Sequence, residues 1–441
     1  MTPLTYADLV RELFPRLTGG IRWGLARTER LLASVGDPQR FFRALHVGGT
    51  NGKGSVCASL DAALRADGRR VGLYTSPHLC SFRERIRLDG EPLGEGALLD
   101  AARRLWPAVE AERPSFFEAT TALAFLALAD AGADLVVAEV GLGGRLDSTN
   151  VLVPEIVVLT NVAMDHAQHL GNTPEAIAGE KAGIIKPGVP VVTAERAEAI
   201  RAIFRRRAQE LGAPFHALRA DEPAAVRPAL TGTGFELETD AWGPLHLTTP
   251  LPGAHQAVNA ALAVRALELL PDALRPSRAA VVGGVARVRW PGRLQHEMVD
   301  GRDWLFDVAH NPAGVEALVS ALPSLALPRP LVALVGILGD KDWSRMLPPL
   351  AAASGAMVLT EPPSAPPERR WDAAAVLARL PGVAGEVQPD FARALERARA
   401  LAGEGTVLVT GSFHTVGDAL ARLGRAPAGV DPPLHPASPA L

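Results

Sequence analysis

Short apolar runs alternate with longer segments of helical pattern along most of the chain. FRALHV (42–47), RVGLYTS (70–76), DLVVAEV (134–140), EIVVLT (155–160) and VPVVTA (189–194) are of strand length and largely continuous in apolar character. That is the pattern of strands buried on both faces. Between them the spacing predicts helices over 55–66, 118–132, about 174–182 and 196–211. Strands and helices in this order imply a mostly parallel sheet covered on both sides. The stretch 233–249 differs. TGFELET and GPLHLTT alternate apolar with polar residues on either side of DAW, which predicts an antiparallel hairpin with one wet face, appended to the first sheet. A second series opens near 303, with strands expected at DWLFDVAH, LVALVGIL (331–338), AMVLTE (356–361) and TVLVTGS (406–412) and a helix at PAGVEALVSAL. VRWPGRLQHE (288–297) breaks the pattern at Pro291 and Gly292, so the joint between two α/β domains is expected there. The expected units are 1–296, 297–424 and a disordered, proline-rich tail over 425–441. Ligands of such sheets gather at the carboxyl ends of the strands, and the crevice between the two domains is the expected active site.

Composition narrows the classes. A net charge of −3 removes any global electrostatic case for nucleic acid or an anionic membrane. Two cysteines, Cys57 and Cys80, exclude a disulfide framework and suit a reducing compartment. No apolar run approaches the ~20 residues needed to span a bilayer. The first seventeen residues carry charges throughout and lack the apolar core of a secretory signal. The expectation is a cytoplasmic monomer with neither nucleic acid nor membrane as partner. The run RRR at 205–207 falls on an expected helix and reads as a solvated face.

Candidate chemistry begins with HVGGTNGKGS (46–55). The usual phosphate loop has Gly, four residues, Gly-Lys, then Ser or Thr. Here Val47 stands at the first glycine's place, and Gly54 separates Lys53 from Ser55. The physical requirements are nonetheless present. Gly48, Gly49, Gly52 and Gly54 make the backbone permissive, Thr50 and Asn51 lie between them, Lys53 brings charge, and Ser55 opens the expected helix, whose N-terminus favours an anion. Glu139, at the end of an apolar strand, stands where a carboxylate can ligate Mg²⁺ beside phosphate; the alternative is an exposed strand-end charge. Ser76 can ligate a metal or cap the turn before Pro77. The pair Asp165-His166 is by itself a weak signal, and Lys181 by itself reads as a surface lysine.

The spelling GTNGKGS resembles the loop of the Mur ligase superfamily of ATP-dependent amide-bond ligases. The folylpolyglutamate synthase/dihydrofolate synthase family within it is similar along nearly the whole chain. The resemblance is carried by HVGGTNGKGSV (46–56), GLYTSPHLCSFRERI (72–86), EVGLGGRLDSTN (139–150), MDHAQHLG (164–171), EKAGIIKPG (180–188), LPGAHQAVNAALA (251–263), RWPGRLQ (289–295), DVAHNP (307–312) and VLVTGSFHTVG (407–417), in the family's order. It implies a two-domain Mur-ligase-like α/β fold: a P-loop ATPase domain with a mostly parallel sheet, and a smaller Rossmann-like C-terminal domain that binds glutamate and closes. It implies ATP contacts from Gly49, Thr50, Asn51, Gly52, Lys53, Gly54, Ser55, Asn259, Arg293, Asp307 and His310. Ser76, Glu139 and His166 would hold Mg²⁺, with Asp165 orienting His166. Lys53, Lys181 and His166 would serve catalysis, Lys181 as a carbamylated lysine. Phe117, Arg145 and Asp147 match positions near the pterin in the bacterial bifunctional branch. The implied partners are dihydropteroate, reduced folates and L-glutamate, and the implied chemistry is amide formation through an acyl phosphate. A monofunctional folylpolyglutamate synthase and a UDP-linked muropeptide ligase stay open as alternatives. The 45 residues before His46 argue against the UDP-binding domain that the latter carries.

Overall fold

The computed structural model describes residues 2–17 and 23–431. The larger sheet is built from β1 (Arg43–Gly48), β2 (Val71–Tyr74), β3 (Ile86–Leu88), β4 (Glu91–Pro92), β5 (Leu135–Glu139), β6 (Ile156–Leu159), β7 (Val191–Thr193) and β8 (Phe215–Ala217). Their spatial order is β4-β3-β2-β5-β1-β6-β7-β8. The pairings from β2 across to β8 are parallel, and β3 and β4 add an antiparallel edge. Successive side chains of a strand face opposite ways, and both sides are dry here. Leu135 and Val137 pack among Leu60, Leu64 and Leu262, whereas Val136 and Ala138 pack among Leu98, Leu123 and Phe125. This double burial is why the strands read as continuous apolar runs. The helix Phe116–Asp130 is buried from Ala119 to Leu128, because helices cover its outer side as well.

The hairpin appears where expected but not in the expected sheet. β10 (Gly232–Thr239) and β11 (Gly243–Thr249) pair with each other, and β9 (Ala224–Ala229) joins β10 to make a separate three-stranded antiparallel sheet. Phe235, Leu237, Leu245 and Leu247 close on Leu60, Leu64, Ala257 and Ala261 of the helices Lys53–Ala66 and Ala254–Glu268. Those helices already cover this face of the large sheet, so the hairpin's apolar side packs on helices and not on the sheet edge.

The C-terminal sheet comprises β12 (Gln295–Val299), β13 (Arg302–Phe306), β14 (Leu331–Val335), β15 (Ala356–Leu359), β16 (Glu386–Val387) and β17 (Thr406–Thr410), in the order β12-β13-β17-β14-β15-β16. Only β12 is antiparallel. The expected boundary at 296 falls inside β12, one residue after the C-terminal sheet begins.

The expected tail is ordered over its first seven residues. The Asp431 carboxylate accepts hydrogen bonds from Tyr6 Oη at 2.8 Å, Ser81 Oγ at 2.9 Å and Phe82 N at 2.6 Å. Polar anchoring of this kind overrides a disorder-prone composition. Residues 432–441 of that expectation lie outside the described residues. Asp431→Ala strands three donors, and each hydrogen bond to a charged group is worth about 1.5–3 kcal/mol. With water replacing part of that, the variant is expected to lose about 2 kcal/mol of stability in a urea titration. Among the described residues no helix is long and apolar enough to cross a membrane.

Candidate active site

The glycine loop joins β1 to the helix Lys53–Ala66 at the carboxyl end of the large sheet. Gly49 has φ +138°, and a Cβ there would run into Thr160 Oγ1. Gly52 has φ +87°, and a Cβ there would run into Asn259 Oδ1. Side chains are excluded at both places by conformation and by space. The loop is laced to the segment after β6. Thr50 N donates to Asn161 O at 2.8 Å, Asn51 N to Asn161 Oδ1 at 3.0 Å, and Ala163 N to Thr50 Oγ1 at 3.1 Å. The first amides of the helix have no partner within it, so a rigid concave backbone presents donors and the positive end of the helix dipole. Gly54 lies against the Trp290 indole. Lys53 Nζ donates to Thr50 O at 3.1 Å and stands 3.9 Å from Glu139 Oε1. Ser55 Oγ is buried and has no hydrogen-bond partner in the protein.

Glu139 ends β5 and pairs in register with Val47, so its side chain stands beside the mouth of the loop. It is only 5% exposed, not the strand-end surface charge of the alternative reading. Burial raises its carboxyl pKa, and the nearby Lys53 ammonium works against that shift. Ser76 lies two residues beyond the end of β2, and its backbone N donates to Glu139 Oε2 at 3.1 Å. His166 adopts φ +51° before the short helix Ala167–Leu170, and burial pushes its imidazole down to about 3. It is therefore neutral, the form that ligates metals. Asp165 does not orient it. The Asp165 carboxylate is taken by Lys341 Nζ at 2.6 Å, Asn311 Nδ2 at 3.0 Å and the backbone N of His166 at 2.9 Å, while His166 Nε2 stays 3.8 Å away. Among the described residues no three His, Cys, Asp or Glu side chains converge into a metal cage. The oxygens offered here still fit Mg²⁺, which needs few protein ligands beside substrate phosphates: a buried hydroxyl at Ser55 that lacks a partner, and one carboxylate at Glu139.

Lys181 is not a surface lysine. It sits in the last turn of the helix Pro174–Ala182, 4% exposed, and its Nζ donates to Gly49 O at 2.7 Å. Burial, helped by the charge on Lys53, pushes its amine down to about 7. Lys186, the next lysine along the chain, donates instead to Asn150 O at 2.8 Å.

The C-terminal domain faces this loop with the segment after β13. Asp307 is buried and accepts from Leu294 N at 3.0 Å and Ala309 N at 2.9 Å. His310 Nδ1 donates to Val308 O at 2.9 Å, leaving Nε2 3.6 Å from Asp165 Oδ2. The Arg293 guanidinium lies 5.3 Å over the Phe413 ring, which the His310 ring approaches to 5.5 Å. Asn259 packs on Gly52 and donates to Gln256 Oε1 at 3.1 Å. The positions matched to a pterin fare unequally. Phe117 lies over Gly141 and 6.2 Å from the Tyr74 ring. Arg145 is exposed and gives two hydrogen bonds to Glu180 Oε1, at 3.2 and 2.9 Å. Asp147 is buried and turned into its own loop, accepting from Leu142 N at 2.8 Å and Thr149 N at 3.0 Å. Sequence reasoning missed Asn161, Asn311, Lys341 and Phe413. Asn311 and Phe413 lie inside stretches already singled out, but Lys341 carries no local signal.

Two family descriptions match the chain: "Mur ligase middle domain" over residues 47–267 and "Mur ligase, glutamate ligase domain" over 292–413. The dihydrofolate synthase/folylpolyglutamate synthase of Bacillus subtilis is 38% identical over 353 residues, 78% of this chain and 82% of that protein. The folylpolyglutamate synthase of Mycobacterium tuberculosis, solved with ADP, superposes with a TM-score of 0.88 at 32% identity, covering 95% of this chain and 98% of that one. The Escherichia coli FolC structure with DHPP and ADP gives 0.85 at 32% identity, covering 96% and 99%. With both Mur ligase parts matched and the likeness running along nearly its whole length, the chain belongs to the folylpolyglutamate synthase/dihydrofolate synthase family of the Mur ligase superfamily.

Proposed function

We propose that this chain is an ATP-dependent amide ligase that adds L-glutamate to dihydropteroate, giving dihydrofolate, and to reduced folates, giving polyglutamates. The observation that carries the reading is the convergence of the glycine loop, Lys53, the unpartnered Ser55 hydroxyl and Glu139 at one point, faced by Asp307 and His310 of the second domain. That solved relatives hold ADP, and one of them DHPP as well, supports the reading.

A carboxylate does not condense with an amine at a useful rate in water. Phosphorylation by ATP converts it to an acyl phosphate, which the neutral amine of glutamate attacks, and phosphate departs from the tetrahedral adduct. The protein's share is positioning and charge neutralisation. The loop amides and Lys53 bind the terminal phosphates. Ser55, Ser76, Glu139 and His166 would hold Mg²⁺, which supplies Lewis-acid neutralisation of the phosphoryl oxygens. Lys181, with its amine pushed down to about 7, is substantially neutral at physiological pH. That is the form that reacts with CO₂, so carbamylation would turn the buried amine into a second anionic group beside the loop. Arg293, Asp307, His310 and Asn259 contact the nucleotide from the second domain and from the helix Ala254–Glu268. Phe117 flanks the acceptor, while Arg145 and Asp147 shape the loop around it. The free thiols of Cys57 and Cys80 are in keeping with a cytoplasmic enzyme.

Phosphate release from Mg·ATP is expected only when glutamate and an acceptor are both present, with each product heavier by one glutamyl unit. Dihydropteroate and tetrahydrofolate should both serve. Turnover with one alone narrows the enzyme to a single activity. Glutamate-independent release, or none with either acceptor, defeats the reading.

A further inference from the structure

The two domains meet at a small, fully bonded polar junction beside the glycine loop. Lys341, from the loop after β14, pairs with Asp165, from the loop after β6, at 2.6 Å, with side chains only 7% and 9% exposed. Asn311 and Asn51 face each other as a reciprocal amide pair. Asn51 Nδ2 donates to Asn311 Oδ1 at 3.2 Å, and Asn311 Nδ2 to Asn51 Oδ1 at 2.9 Å. The same Asn311 Nδ2 reaches Asp165 Oδ2 at 3.0 Å. Asn51 belongs to the glycine loop and Asn311 follows directly on His310, so the junction ties the phosphate-facing loop of one domain to the nucleotide-facing loop of the other. A buried pair of this geometry is costly to break from one side.

We propose that Lys341 is a positioning residue. Its ion pair with Asp165, supported by the Asn311–Asn51 amide pair, locks the C-terminal domain in register over the glycine loop and so sets where Arg293, Asp307 and His310 stand relative to the transferring phosphate. The Lys341 Nζ bond is made to Asp165, and it acts through that residue. The activity half of this inference rests on the ligase reading, but the domain register does not.

The test uses the full chain with spin labels at Arg206→Cys and Glu396→Cys, both exposed and one on each domain, in a Cys80→Ser background; Cys57 is buried and stays unlabelled. Lys341→Met keeps the aliphatic stem and removes the charge. Asn311→Asp keeps a side-chain oxygen to cap the helix Pro312–Ala321 through Gly314 N but sets a second carboxylate against Asp165. Both variants are expected to broaden the interdomain distance distribution in the absence of substrates. Both should lower kcat by at least about 30-fold with ADP affinity changed less than about 3-fold, the loss expected from misplacing reacting groups by about 1 Å. Lys341→Arg, which can still pair with Asp165, should restore the narrow distribution and most of kcat. An unchanged distribution in both Lys341→Met and Asn311→Asp overturns the proposal. So does a loss of ADP affinity matching the loss of kcat, since Lys341 would then act on the nucleotide itself. If the unsubstituted protein shows no glutamate-dependent turnover, the ligase reading fails, and the distance distributions still decide the junction.

Discussion

Lys53→Met is expected to lower ligase turnover by about 10³-fold, the cost of removing one preorganised charged donor from a water-poor site. The ammonium bonds to Thr50 O at 3.1 Å and stands 3.9 Å from Glu139 Oε1, so it is held at the mouth of the loop. Little reorganisation is left to make during the reaction. The loss should fall mainly on kcat, because the loop amides and the helix N-terminus still hold the nucleotide. Stability should change little. Lys53 lowers the Glu139 pKa against the effect of burial, so its removal lets that carboxyl rise further and take up a proton instead of leaving a bare buried charge. Initial rates of phosphate release, ADP titration and a thermal melt together check this. A variant within about tenfold of the parent's kcat would leave Lys53 with no electrostatic part in the chemistry.

Lys181→Met is expected to lower kcat by about 10²-fold or more while leaving the fold as stable or more so. Few substitutions at a buried site do that, and the reason is electrostatic. The amine is buried, has one hydrogen bond, to Gly49 O at 2.7 Å, and is pushed down to about 7 by desolvation first and by Lys53 second. Its charged form is thus a burden to the folded state that a methionine of similar shape does not carry. The sign with pH follows from linkage. Below about pH 7 the lysine is charged in both folded and unfolded chains, and the burden is complete. Between about 7 and its ordinary value of 10.5 the unfolded chain binds the extra proton, so the parent gains stability as pH rises. The advantage of Lys181→Met should therefore be largest below pH 7 and shrink above it, in bicarbonate-free buffer, by urea titration at several pH values. A variant that is less stable at every pH would mean the amine is chiefly structural.

Different parts of the molecule were legible in the sequence to different degrees. The inner strands of both sheets were readable because burial on two faces leaves unbroken apolar runs, as in Leu135–Glu139 and Leu331–Val335, whereas the short or edge strands Ile86–Leu88, Glu91–Pro92, Phe215–Ala217, Gln295–Val299 and Glu386–Val387 have no such run and were not read. The hairpin was readable from its alternation, but its sheet was not, since Phe235 and Leu247 would satisfy any apolar surface and the helices around Leu60 and Ala261 happened to offer it. The tail's composition pointed to disorder up to the point where Asp431 found Tyr6 and Ser81.

The glycine loop could be read from its own residues because the constraint is local. Gly49 and Gly52 adopt positive φ with no room for a Cβ, and only one residue type tolerates that. Lys181 and Asp165 could not be read that way. Whether a lysine is a surface charge or a buried amine near neutrality depends on what packs around it, here the backbone of Gly49. Whether an aspartate orients its neighbouring histidine or anchors another domain depends on Lys341, 176 residues further along. Sequence by itself determined the period, the strained turns and the order of the elements, which are properties of neighbouring residues. Tertiary structure alone decided burial, protonation and partnership across the domain interface, because these arise only when distant parts of the chain exclude water from one another.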